Sequence, residues 1–135
     1  MTLNQLAIHN VAPRGVAGSC VPTSLAFTTG SCYQDIEYVL ISEQPELYRP
    51  DIKGNNGVDT VRLLGTSRIL FGHRFTMVGS RGLRLMDLKE SFPTGTYLVR
   101  VQSHLLVLKE GEIYDLANKK PKTEVLTMWK VEKHS

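Results

Sequence analysis

The spacing of apolar positions changes midway along the chain. In the first half they recur at three and four residues: Ile36, Val39 and Leu40 predict a helix with Asp35 and Glu37 in its first turn. Ahead of it, Ser19 can cap a helix that tolerates Pro22 in its first turn, continues through Ser24-Leu25-Ala26-Phe27 and stops at Gly30. An irregular stretch follows around Pro45, Pro50 and Gly54-Asn55-Asn56-Gly57. Beyond it Val58, Val61, Leu64 and Ile69 predict a third helix, weakened in its middle by Gly65.

The second half shifts toward a period of two. Phe75 to Val78 reads as a short strand, and Leu83 to Ser91 as a short helix ahead of Pro93. Tyr97, Val99 and Val101 alternate, Leu105 to Leu108 is apolar on both faces, and Ile113 to Leu116 follows at once. Val125 to Val131, with Trp129, supplies a last strand. Helices followed by strands predict an α+β fold, with an antiparallel sheet packed against the N-terminal helices.

A chain of 135 residues without repeats or linker-like tracts fits a single domain over 1–135. With 41% apolar and 21% charged residues it is neither disordered nor fibrous in composition. Apolar runs such as Leu105-Leu106-Val107-Leu108 fall far short of the roughly 20 residues of a membrane helix. Met1 to Gln5 lacks the basic flank and apolar stretch of a secretory signal, so a soluble, cytoplasmic chain is expected. The net charge of +3 permits contact with nucleic acid without requiring it. Its basic bias lies between Arg49 and Lys89, where Arg62, Arg68, Arg74, Arg81 and Arg84 are scattered singly with few aromatics between them. That pattern reads as a solvated face rather than a nucleic-acid stripe.

Two cysteines, Cys20 and Cys32, are too few for a disulfide-built scaffold or a four-thiolate metal site. The helix between them would hold their Cα atoms about 15 Å apart. A disulfide spans about 7 Å at most, so two free thiols are expected. Cys32, beyond the Gly30 stop, is expected to be a small buried apolar side chain. Cys20 falls in a first helical turn, where unpaired N–H groups and the helix dipole favour a nucleophilic thiolate.

A nucleophilic thiol needs a base, and the base needs an orienting group. Of the four histidines, His9 lies in an irregular arm, His73 in a turn after Gly72 and His134 in the terminal tail. His104 begins a predicted strand. A two-residue turn at Glu110-Gly111 pairs Lys109 with Glu112 and Leu106 with Asp115. In that register Asp115 and His104 share a face as diagonal neighbours about 7 Å apart. A four-residue loop preserves the arrangement, and a three-residue loop turns Asp115 away. Spacing alone also fits a hairpin histidine and an ordinary strand-end carboxylate.

Three stretches carry a family resemblance: Cys20-Val-Pro-Thr-Ser-Leu-Ala-Phe-Thr-Thr-Gly30, Asn56-Gly57-Val58, and Pro93-Thr-Gly-Thr-Tyr-Leu-Val-Arg-Val-Gln-Ser-His104 through Gly111-Glu-Ile-Tyr-Asp115. Together they resemble papain-like cysteine peptidases, in particular the small papain-like proteins of tailed bacteriophages. The resemblance implies Cys20 as nucleophile, His104 as base and then acid, and Asp115 as its orienter. It also implies hydrolysis of a peptide, isopeptide or related amide bond without a cofactor. The substrate would be a protein or peptide, a host protein among the candidates, met in the host cytoplasm without nucleic acid or membrane. The chain departs from the family pattern upstream of the cysteine, where Arg14 stands in place of the usual oxyanion-hole amide and Gly18-Ser19 in place of an Asn or Asp. Asn10 and Gln5 are the candidate replacement donors, beside the Cys20 backbone N–H. A missing donor costs about a hundredfold to a thousandfold in rate. Two other functions remain open: a papain-like module that binds a host protein with a vestigial thiol, and nucleic-acid binding through Arg62 to Arg84.

Overall fold

The computed structural model describes residues 20–48, 58–115 and 120–134. Helix α1, Cys20–Thr29, is buried from Cys20 to Ala26. Its side chains are apolar or small on every side, so it runs through the interior rather than along the surface. Gly30 ends it at φ +70°, its N–H bonding the Ala26 carbonyl at 2.9 Å. Helix α2, Tyr33–Glu43, buries Tyr33, Ile36 and Leu40. The buried Gln44 side chain then clamps Asp59, accepting from its N–H at 2.7 Å and donating to its carbonyl at 2.9 Å. Asp59 in turn caps α3, Thr60–Leu64, by accepting from the Arg62 N–H at 3.0 Å.

The predicted third helix is shorter than its apolar spacing implied. Gly65, at φ +59°, stops it, and Ile69 belongs to a strand, β1, Ser67–Leu70. Phe71 and Gly72 form a two-residue hairpin turn at φ +54° and +70°, which leads into β2, His73–Val78. His73 therefore opens a strand rather than occupying the turn. His134 is likewise tied down, its N–H donating to the Gly72 carbonyl at 2.9 Å.

The remaining strands are β3, Thr96–Val101, β4, His104–Lys109, β5, Glu112–Tyr114, and β6, Thr127–Lys133. All pairings are antiparallel in a six-stranded sheet of order β1-β2-β6-β3-β4-β5. The fold is α+β, with the N-terminal helices on one face of the sheet. Leu98, Leu105, Val107, Phe75 and Trp129 pack there against Leu25, Ile36 and Leu40. The opposite face is covered as well: a 3-10 turn, Leu85–Asp87, and helix α4, Leu88–Ser91, set Leu85 and Leu88 against Val99, Leu106, Leu108 and Met128. Covering both faces explains why Leu105 to Leu108 is apolar throughout. Among the described residues no helix is long and apolar enough to cross a membrane.

Candidate active site

Three local decisions bring one end of α1 to one end of the sheet. The buried Ser24 hydroxyl, one turn after Cys20, donates to the Leu105 carbonyl at 3.3 Å and ties α1 to the start of β4. The β3–β4 hairpin closes through Gln102-Ser103 with Val101 paired to His104. Ser103 there adopts φ +57°, a left-handed conformation that costs a non-glycine residue about 1 kcal/mol or more. The β4–β5 hairpin closes through Glu110 and Gly111 at φ +50° and +78°. Lys109 faces Glu112, Leu108 faces Ile113 and Val107 faces Tyr114, which is the register expected from the two-residue turn.

That register places Asp115 diagonally across from His104. The His104 Nε2–H donates to Asp115 Oδ1, with only 9% and 11% of the two side chains exposed. Cys20 lines the same cleft and also acts on the ring, and because Nε2 is held by the carboxylate, Nδ1 is the nitrogen left for the thiol. Burial by itself disfavours a charged ring. Hydrogen bonding and charge from Asp115 and Cys20 overcome that penalty and push the His104 pKa up to about 9.

The folded ring thus holds its proton more tightly than an unfolded one with the ordinary value of 6.5. Its contribution to stability is complete below pH 6.5 and is lost as pH rises through about 9. Urea unfolding should therefore show stability falling across that window. In Asp115→Ala the ring's proton NMR titration midpoint should drop from about 9 toward 6.5, and a midpoint unmoved by the substitution would deny Asp115 its hold on the imidazole.

Cys20 and His104 border a cleft of about 250 Å³, closed on other sides by Val58, Thr60, Arg100 and Ser103. Cys20 itself is only 9% exposed. Both cysteines are free thiols, as their spacing implied. Cys32 reverses its expectation: it is exposed at the N-terminal boundary of α2, its Sγ donating to Gln34 Oε1 at 2.7 Å, because the turn that joins α1 to α2 runs along the surface. Asn10, Gln5, His9, Arg14 and the Ser19 cap lie outside the described residues. Arg62 is paired with Glu46 at 2.9 Å and Arg68 with Glu43, so two members of the basic stretch are engaged within the chain.

Among the described residues no group of three or more His, Cys, Asp or Glu side chains lies together as metal ligands would. Arg100 and Ser103 are the cleft residues that sequence reasoning passed over. A single charge within the apolar run Tyr97-Leu-Val-Arg-Val was the available signal for Arg100. No protein-family model, curated protein or solved structure matches this chain.

Proposed function

We propose that this protein is a thiol-dependent hydrolase of amide bonds, of the papain-like cysteine peptidase or isopeptidase type. One observation carries the reading: the His104 imidazole joins Asp115 on one side to Cys20 on the other, at the edge of a cleft. A buried, carboxylate-oriented imidazole beside a thiol is what nucleophilic catalysis by sulfur requires.

In this reading the Cys20 thiol passes its proton to the His104 ring, and the thiolate attacks the substrate carbonyl and forms a thioester as the amine departs. The His104 imidazolium gives the departing amine its proton. The neutral ring then takes a proton from water, whose oxygen attacks the thioester and releases the acid, and the ring returns that proton to the sulfur to restore the thiol. Cys20 is the first residue of α1, so its N–H has no acceptor within the helix and can donate to the developing oxyanion. Asp115 holds the ring through Nε2 and acts by positioning it.

Site-resolved alkylation tests the reading. Access alone favours exposed Cys32 over buried Cys20. Iodoacetamide at low excess, followed by mass spectrometry of each cysteine, is nonetheless expected to label Cys20 roughly tenfold faster, because activation outweighs access. Slow labelling of both thiols, or of Cys32 first, would remove the basis for catalysis. The protein would then be better described as a papain-like module that binds a partner.

A further inference from the structure

The cleft beside Cys20 contains a cation that the catalytic cycle above does not use. Arg100 lies on β3, paired across the ladder with Leu105 on one side and Thr127 on the other. Its side chain is fixed rather than free to swing: Nε and Nη2 both donate to the Thr127 hydroxyl, at 3.2 and 3.0 Å. Among the described residues no carboxylate pairs with it, and Nη1 has no hydrogen-bond partner. The guanidinium is half-buried and forms part of the wall that also holds Cys20 and His104.

A partly desolvated guanidinium with one edge held and the other open is a poor arrangement unless an anion completes it. The planar fork matches a carboxylate, which accepts two parallel N–H bonds. At about 250 Å³ the cleft has room for one side chain or one chain terminus, not a long bound peptide. We propose that Arg100 selects, for attack by Cys20, substrates that carry a carboxylate beside the bond to be cleaved, from an acidic side chain or a chain terminus. This rests on the hydrolase reading and names the substrate class for the same site. Thr127 acts as the positioning residue that aims the guanidinium.

The test compares two alkylating reagents on the full chain, neutral iodoacetamide and anionic iodoacetate, with Cys20 labelling read by mass spectrometry. Arg100→Met is expected to slow labelling by iodoacetate roughly tenfold, the lower range for losing a hydrogen bond to a charged group. Labelling by iodoacetamide should stay within about twofold, and Arg100→Lys should keep part of the anion preference through charge alone. Equal loss with both reagents, or no change in their ratio, overturns the proposal.

A second measurement needs no variant. Three peptides compete with iodoacetamide on the wild-type protein: one with an internal glutamate and an amidated end, one neutral with a free carboxylate end, and one neutral and amidated. Protection by the first identifies an acidic side chain, protection by the second a chain terminus. Protection by neither, or equal protection by the third, overturns the proposal. If iodoacetamide alone fails to single out Cys20, the hydrolase reading falls and this proposal falls with it. Selective labelling of Cys20 with an unchanged reagent ratio removes only the role of Arg100.

Discussion

Replacing His104 with glutamine is expected to reduce hydrolysis of amide substrates roughly 10²-fold to 10⁴-fold, the usual share of a positioned acid and base. It should also slow alkylation of Cys20. Glutamine is the informative variant because its amide can still donate to Asp115, which is 8% exposed, while it can neither carry the positive charge nor shuttle a proton. His104→Ala removes the same chemistry but leaves a void in a site where 9% of the native side chain is exposed, so part of its effect would be structural. Cys20→Ser supplies the background rate. Far-UV circular dichroism of His104→Gln should match the wild type, and wild-type labelling of Cys20 in a folded His104→Gln protein would show that the ring does not activate the thiol.

Whether a segment's structure could be read from its sequence depended on whether local signals agreed with distant partners. Helices α1 and α2 were legible because Gly30 separates them and the periodicity of Ile36 and Leu40 matches the face they bury. Strands β3, β4 and β6 were legible from their apolar runs. Ile69 was misplaced because it extends the apolar series of Val58, Val61 and Leu64, whereas the Phe71-Gly72 turn pairs it with Arg74, and β2 is held in turn by β6 from far along the chain. Nothing near Ile69 in sequence announces β6.

The site divides in a similar way. Cys20, His104 and Asp115 could be selected because each is governed by a local rule: a helix start, a strand start and the parity set by a two-residue turn. Arg100 could not, since its meaning depends on Thr127 across the sheet and on Cys20 from another element. Cys32 was assigned to the interior on residue type alone, and the surface path of the turn between α1 and α2 decided otherwise.

Trp129→Ala is expected to produce the largest loss of stability of any single substitution in the core. Trp129 is fully buried and is the largest side chain so placed, on the helix-facing side of β6 between Met77 and Leu98 in the ladder. Truncating a buried aromatic costs about 3–5 kcal/mol. Its indole N–H also donates to the Gly65 carbonyl at 2.9 Å, holding the turn that stops α3 and launches β1. Removing the donor from that half-buried carbonyl adds about 1 kcal/mol. Against a total of about 5–15 kcal/mol for a small domain, the sum is enough to unfold much of the population. Trp129→Phe separates the two contributions, because it keeps most of the ring volume but not the hydrogen bond, and should cost less than alanine while still loosening the Gly65 turn. Urea denaturation of the three proteins followed by far-UV circular dichroism measures both losses. Equal midpoints for wild type and Trp129→Phe would show that the Gly65 carbonyl does not depend on the indole, and the junction of α3 with β1 would then owe its geometry to the Gly65 backbone alone.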